Sequence, residues 1–206
     1  MSEKTEKTTP KFDPTTTISA EFGIFGIPMT EEESRVILVP VPWEVTTSYG
    51  EGASRGPQII RDASEQIDLF DIEVGKAYEV GYHMREVSEE LQAKNDKFKA
   101  IAQELIGMRT NMSDDTAKMD KLAAQVNVAC EEMSQWVYAQ CSDVLNKGKL
   151  LGLVGGDHST PLGAIRAVSD KFKGEFGVLH IDAHADLRTA YPVSYTHLRA
   201  HETSLH

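Results

Sequence analysis

The chain of 206 residues is acidic, with a formal net charge of −11 at pH 7, and 40% of its residues are hydrophobic. This length can bury a sizeable core, and we expect one domain. The charge argues against a nucleic-acid or anionic-membrane partner, and it either attracts cationic ligands or simply keeps the protein soluble. Because no apolar run of the necessary length occurs, we expect neither secretion nor a membrane span, and we predict a cytoplasmic protein.

The first third of the chain predicts a disordered arm, a strand and a helix. Residues 1–21 are rich in Thr, Lys and Glu, which is typical of a disordered N-terminal arm. Residues 36–41 form a continuous apolar run rich in β-branched side chains, which indicates a strand of a parallel sheet covered on both faces. A Gly-rich loop over 49–56 leads to Pro57 and a helix that reaches about residue 68. Since no Gly-Lys-Ser/Thr follows the glycines, a structural turn is favoured over phosphate binding.

Residues 87–147 have a helical composition and predict two helices. The first is expected over 88–108, and residues 113–115 offer an N-cap for the second. One face of the second helix carries a stripe of core positions: Met119, Leu122, Val126, Ala129, Met133, Val137, Cys141 and Val144. Cys130 and Cys141 lie too far apart along this helix for a disulfide and are expected to be buried thiols. We interpret the pair as a helical insertion that either covers a site or builds an oligomer contact.

Two apolar runs each end in ionisable residues. Residues 150–154 lead into Gly155-Gly156-Asp157-His158, and residues 176–181 lead into Asp182-Ala183-His184-Ala185-Asp186. Because successive side chains of a strand point to opposite faces, Asp182, His184 and Asp186 would project together, and His158 could add a nitrogen. Such oxygen and nitrogen ligands suit Mn²⁺, Zn²⁺, Ni²⁺ or Fe²⁺, and the density of carboxylates favours two ions that share a water.

A plainer interpretation is that these residues occupy turns and helix caps, for which Asp157 and Ser159 are suited. The occurrence of both motifs, each after an apolar run, favours the metal site. The alternation of strands and helices predicts an α/β domain with a mainly parallel sheet. Such sheets bind ligands at the carboxyl ends of their strands, which is where the candidate metal ligands lie.

The two motifs resemble those of the ureohydrolases, the family that includes arginase, agmatinase, guanidinobutyrase and formimidoylglutamase. That family shows Gly-Gly-Asp-His followed by Asp-Ala-His-Ala-Asp, which stand here at 155–158 and 182–186. The resemblance covers residues 22–191, and with Arg188 and Tyr191 after it the second motif is most similar to the agmatinase branch. It implies a three-layer α/β/α fold of the arginase type and, for the intact protein, a homo-oligomer.

The resemblance also implies a binuclear manganese site. His158 and Asp186 would bind one Mn²⁺, His184 would bind the other, and Asp182 would bridge both, whereas Asp157 belongs to the motif without being a ligand. No further catalytic residue is assigned. A hydroxide that bridges the ions would attack the guanidinium carbon of a small cationic guanidino substrate. Agmatine, cleaved to putrescine and urea, is the expected substrate, and arginine, guanidinobutyrate and formimidoylglutamate stay open.

The chain departs from the family pattern after Tyr191. The expected Glu-Gly pair and Tyr-Ser-His-Ala-Ser segment do not follow, nor does a later Asp-x-Asp segment with two further metal ligands. We therefore expect residues 22–191 to be a domain that is incomplete at its C-terminus, inactive and poorly stable by itself, because a sheet edge and apolar helix faces would be uncovered. The alternative function is a catalytically inactive metal-binding fragment.

Residues 192–206 resemble peptides that arise when an open reading frame runs into sequencing-adapter DNA, and we expect this tail to be foreign to the protein. Long-read sequencing of the source locus past the Tyr191 codon should reveal a Tyr-Ser-His-Ala-Ser segment and a later Asp-x-Asp motif instead. Recovery of the same fifteen codons from a continuous genomic clone would establish a naturally short variant.

Overall fold

The structure is a computed structural model that describes residues 23–47 and 50–183. Three parallel strands, β1 (Val36–Val41), β2 (Tyr82–Met84) and β3 (Leu150–Gly155), form a sheet in the order β2-β1-β3. The described α-helices are α1 (Gly56–Ala63), α2 (Glu89–Thr110), α3 (Thr116–Asn146) and α4 (Pro161–Lys171). Short 3-10 turns lie at Ile24–Gly26, Ala53–Arg55, Ser64–Gln66 and Ala77–Val80. This arrangement confirms the predicted α/β class with a parallel sheet.

The central strand β1 contains Pro40, which has no N–H to donate to a neighbouring strand. The direction in which the backbone groups of β1 point explains why the sheet tolerates it. The Val36 N–H donates to the Gly81 carbonyl, and the Arg85 N–H donates to the Leu38 carbonyl, so the even-numbered residues of β1 face β2. Pro40 therefore faces the same side, beyond the last residue of β1 that pairs with β2. Since no ladder hydrogen bond is needed at that point, the missing N–H of proline does not weaken the sheet.

The predicted helical pair is present as α2 and α3, and both helices begin at a side-chain cap. The Ser88 hydroxyl accepts from the Leu91 N–H at 3.2 Å, and the Asp115 carboxylate accepts from the Lys118 N–H at 2.9 Å. The stripe of α3 is confirmed, since its members beyond the half-buried Met119 are all buried: Leu122, Val126, Ala129, Met133, Val137, Cys141 and Val144. Through this face α3 packs against its neighbours, and it contacts both α2 and α4.

One apolar core joins the sheet to the helices. Its buried members come from β1, the segment after it, α2, α3 and α4: Ile37, Val39, Val41, Trp43, Val45, Leu91, Ala102, Val126, Ala129, Cys130, Met133, Val137, Cys141, Val144 and Ala167. The two cysteines are buried thiols, as predicted, and burial raises the pKa of Cys141 to about 11. Within the described ranges, no helix combines the length and the apolar character needed to cross a bilayer.

The first predicted helix is shorter than expected. It ends at Ala63 instead of residue 68 and continues only as the 3-10 turn Ser64–Gln66. The Ser64 hydroxyl donates to the Arg61 carbonyl at 2.6 Å and accepts from the Phe25 N–H at 2.8 Å. These bonds offer the backbone an alternative to helix continuation, which is how serine commonly ends a helix.

The run 176–181 was predicted to be a strand, and this prediction is wrong for the described structure. The segment forms no strand, and Leu179 and Ile181 are 86% and 88% exposed. A strand needs a hydrogen-bonded neighbour, and among the described residues β3 pairs only with β1, so the run 176–181 does not use the open edge of β3. The predicted arm over 1–21 and the predicted tail over 192–206 lie outside the described residues.

An ion-pair network ties the segment before β1 to the end of α3. Arg85 Nε and Nη2 donate to the two carboxylate oxygens of Glu31 at 2.9 and 2.7 Å, and Arg85 also bonds to Asp143. Lys147 Nζ donates to Glu31 and Asp143 at 2.9 and 2.8 Å. The hydrogen bond from Arg85 is the main reason why the pKa of Glu31 falls from 4.5 to about 2, since it outweighs the opposing effect of desolvation.

Replacement of Glu31 by Gln should lower the free energy of unfolding at pH 7 by about 1–2 kcal/mol, a value that allows for solvent screening. Because the folded-state pKa of Glu31 lies below its ordinary value, this contribution is present above pH 4.5 and is lost as the pH falls through about 2. Urea unfolding at pH 7 and at about pH 3 should therefore show a smaller difference between the variants at the lower pH.

The matched control is Glu79→Gln, because Glu79 forms an exposed pair with Lys76. It should change the free energy of unfolding by less than about 0.5 kcal/mol. Equal effects of the two substitutions would contradict a stabilising role for the Arg85 network.

Candidate metal centre

The loop after β3 carries the motif at 155–158 and packs against the backbone that follows β1. The Asp157 N–H donates to the Trp43 carbonyl at 2.7 Å. A Cβ atom on Gly156 would overlap that same carbonyl group. Glycine is therefore required by the close approach of two backbone segments, and the contact places His158 just beyond the carboxyl end of β3.

The buried Asp157 carboxylate joins the loop after β1 to the start of α4. Its Oδ2 accepts from the N–H and the hydroxyl of Thr46 at 3.1 and 2.6 Å. Its Oδ1 accepts from the N–H of Ser159 at 3.0 Å and from the Ser159 hydroxyl. Both oxygens are thus used within the protein, so Asp157 acts as a turn residue beside the candidate metal ligand His158.

His158 lies next to two ligand-type side chains of the segment 176–183. Its Nδ1 is 3.5 Å from Asp182 Oδ2, and the Nε2 of His180 is 3.3 Å from the same oxygen. The two imidazole rings are tilted, with centroids 5.4 Å apart. The three residues each offer a ligand atom, and these atoms all lie within 4.8 Å of one another. All three side chains are partly exposed, so an ion could reach them from solvent.

The types and the spacing of these atoms fit a divalent transition metal. Atoms bound to one such ion at about 2.0–2.2 Å are separated from one another by roughly 3–3.5 Å. The distances from His158 and from His180 to Asp182 lie in this range. Imidazole nitrogens and a carboxylate oxygen, without a thiolate, suit Mn²⁺, Fe²⁺, Zn²⁺ or Ni²⁺ better than a closed structural zinc site.

Of the four predicted ligands, the structure brings together His158 and Asp182, whereas His184 and Asp186 lie outside the described residues. His180 was not predicted. Its signal in the sequence is that it precedes Asp182 by two residues, the same spacing that separates the predicted ligands of the second motif from one another. In the described structure this segment is not a strand, so His180 reaches the cluster through the fold of a loop.

His158 and Asp182 border an open cleft of about 840 Å³. The loop after β1 contributes the polar side chains of Thr46 and Thr47 to its lining. Most of the apolar lining comes from α4 and the segment after it: Ala164, Ile165, Val168, Phe176, Val178 and Leu179. A cleft of this size can hold a small linear molecule that has one end beside the cluster of His158 and Asp182 and an aliphatic part on the apolar surface.

Residues 34–201 match the sequence profile of the arginase family. The match includes both motifs and the three residues of the cluster. The chain therefore belongs to the arginase family, which confirms the resemblance to the ureohydrolases that the two motifs indicated.

Two similar curated proteins are each named N(1)-aminopropylagmatine ureohydrolase. One from Thermus thermophilus is 31% identical over 81% of this chain and 45% of its own length. The protein from Synechocystis sp. is 27% identical over 77% of this chain and 42% of its own length. Proclavaminate amidinohydrolase from Streptomyces clavuligerus is 26% identical over 76% of this chain and 39% of its own length. The chain thus spans less than half the length of these relatives, and no solved structure matches it.

Gly156→Ala should lower the free energy of unfolding by about 3 kcal/mol, because the added Cβ meets the Trp43 backbone and not a flexible side chain. Gly107→Ala in α2 is the matched control, since a Cβ there meets nothing within 4 Å. It should stabilise the chain by about 0.5–1 kcal/mol, because alanine favours the helix. Thermal unfolding followed by circular dichroism measures both. A wild-type melting temperature for Gly156→Ala would contradict the close packing of this loop.

Proposed function

We propose that the protein is a metal-dependent hydrolase of linear guanidino compounds. The observation that carries the proposal is the approach of His158 Nδ1 to Asp182 Oδ2, 3.5 Å apart, at the edge of a cleft beside the carboxyl end of β3. Membership of the arginase family supports the reaction class. The names ureohydrolase and amidinohydrolase, borne by relatives, support the same chemistry, in which a guanidino C–N bond is cleaved by water.

The proposed metal is manganese, with two ions in the whole site held by His158, Asp182, His184 and Asp186. When bound, such ions activate water as a nucleophile at neutral pH. His158 would contribute one imidazole nitrogen, and the two oxygens of Asp182 would allow it to serve two neighbouring positions. His180, 3.3 Å from Asp182, would orient that carboxylate by donating a hydrogen bond to it.

The lining of the cleft favours a linear cationic substrate. The net charge of −11 favours a cationic substrate such as a guanidinium compound. Ile165, Val168 and Leu179 offer an apolar surface to a methylene chain. Agmatine has this shape. The names of two relatives contain N(1)-aminopropylagmatine, which is agmatine extended by a second cationic arm. Arginine, guanidinobutyrate and formimidoylglutamate rank lower, because each carries a carboxylate that the acidic protein repels.

The second candidate function is metal binding without turnover. The described residues bring together three ligand-type side chains, and the chain spans less than half the length of its relatives. A chain with this function would bind a single ion weakly, and it would release no urea from any guanidino compound.

Isothermal titration of the chain with Mn²⁺ should show binding that Asp182→Asn weakens at least about tenfold, because a charged oxygen ligand becomes a neutral amide. The matched control is Asp120→Asn, which removes one carboxylate from an exposed position of α3 and should leave the affinity unchanged. If the chain does not bind Mn²⁺, or if Asp182→Asn binds it as tightly as the wild type, the proposed site is wrong.

Urea release from agmatine and from N(1)-aminopropylagmatine, assayed with added Mn²⁺, distinguishes the two candidate functions. Release that Asp182→Asn abolishes supports the hydrolase. Mn²⁺ binding without release of urea supports the second candidate.

A further inference from the structure

Helix α2 of the insertion carries two polar side chains that are withdrawn from solvent. Asn95 is 1% exposed and Lys99 is 8% exposed. They are four residues apart, so both lie on one face of the helix. Burial of an amide and of an ammonium group is unfavourable unless each finds hydrogen-bond partners, so the partners of these two residues reveal what this face of α2 does.

Asn95 and Lys99 are hydrogen-bonded to the loop that follows β1. We define this cleft loop as residues 44–47 and 50–54. The Glu44 N–H donates to Asn95 Oδ1 at 2.7 Å. Lys99 Nζ donates to the Glu44 carbonyl at 3.1 Å and also to the Thr47 hydroxyl. The helix therefore holds both backbone polar groups of Glu44 and one side chain of the same loop.

The Glu44 side chain extends this attachment to the far end of the cleft loop. It is 7% exposed, and its Oε2 accepts from the Gly52 N–H at 2.7 Å and from the Ser54 N–H at 3.1 Å. Gly52 has a φ of 108°, a conformation that glycine adopts without strain. The backbone of Glu44 is thus hydrogen-bonded to α2, while its carboxylate is hydrogen-bonded to the backbone of Gly52 and Ser54 in the second part of the cleft loop.

The cleft loop connects this attachment to the candidate metal centre. Thr46 and Thr47 line the cleft. Thr46 donates two hydrogen bonds to the carboxylate of Asp157, which directly precedes His158. A continuous series of hydrogen bonds and peptide bonds therefore leads from Lys99 and Asn95 through the cleft loop to His158.

We infer that Lys99 and Asn95 are positioning residues of the cleft, and that the helical insertion sets the wall at Thr46 and Thr47 and, through Asp157, the place of His158. The part of this inference that concerns metal affinity depends on the proposed function, whereas the part that concerns the loop does not. The insertion thus has a role inside the site, and it acts through a loop that it binds by the buried groups of Asn95 and Lys99 and, at the surface, by a hydrogen bond from Gln103 to Glu51 at 2.9 Å.

Lys99→Met tests the inference, because methionine keeps most of the apolar stem and removes the ammonium donor. Hydrogen exchange of the metal-free protein should become about tenfold faster, or more, at the backbone amides of the cleft loop, while the amides of α3 keep their wild-type protection. Mn²⁺ affinity should fall several-fold, because His158 is held less firmly. Lys99→Arg, which retains a donor, should restore slow exchange at least in part.

The matched control is Lys94→Met on the same helix, since Lys94 Nζ pairs with Glu132 and Glu90 at 3.2 and 3.6 Å, away from the cleft loop. It should leave both the loop exchange and the Mn²⁺ affinity unchanged. If Lys99→Met unfolds the whole chain, Thr47→Val replaces it, because it removes the hydroxyl that accepts from Lys99 and, with it, the hydrogen bond from that hydroxyl to the Glu44 carbonyl at 2.9 Å. Faster loop exchange in that variant supports the inference.

Unchanged exchange in the cleft loop of a folded Lys99→Met or Thr47→Val protein overturns the inference. Faster loop exchange with unchanged Mn²⁺ affinity overturns the link to His158 and leaves the loop as the only part that α2 positions. If the wild type binds no Mn²⁺, the proposed function fails, but the exchange experiment still decides whether Lys99 positions the loop.

Discussion

The candidate site depends on one close approach, in which the chain after β3 passes against the backbone after β1. The Asp157 N–H bonds to the Trp43 carbonyl at 2.7 Å, and Gly156 leaves space only for a hydrogen atom at this point. Since Trp43 is completely buried in the close-packed core, the contact ties the motif to the least deformable part of the protein. His158 consequently leaves the sheet in one direction, toward the segment that carries Asp182.

Polar groups buried beneath the cleft impose a second constraint. Glu44, Asn95, Lys99 and Asp157 are all buried, and each has hydrogen-bond partners within the protein. Loss of any one of these buried groups leaves its partner without a hydrogen bond, which costs about 1–3 kcal/mol where that partner is withdrawn from solvent. The cleft loop, α2 and the turn after β3 therefore form one bonded unit. The Arg85 network differs, because its described members do not line the cleft and it contributes to stability alone.

The match between the sequence pattern and the structure is best where the pattern is local. The apolar run of β1, the threefold and fourfold spacing along α3 and the cap at Asp115 each depend on neighbours in sequence, and each is present as predicted. The run 176–181 has equally strong strand character but forms no strand, because strand formation also requires pairing with a distant segment, and in the described structure the run does not pair with the open edge of β3.

The sequence alone determined the family, the α/β class and two of the metal-ligand candidates that the structure brings together, since glycine, carboxylate and imidazole at fixed spacings define that chemistry locally. Only the tertiary structure decided that His180 joins His158 and Asp182, and that Lys99 bonds to the cleft loop. The Lys99 contact and the approach of His158 to Asp182 join residues that are far apart in the chain. Burial makes the Lys99 contact necessary, because a polar side chain withdrawn from water must bond to whatever group the fold brings beside it.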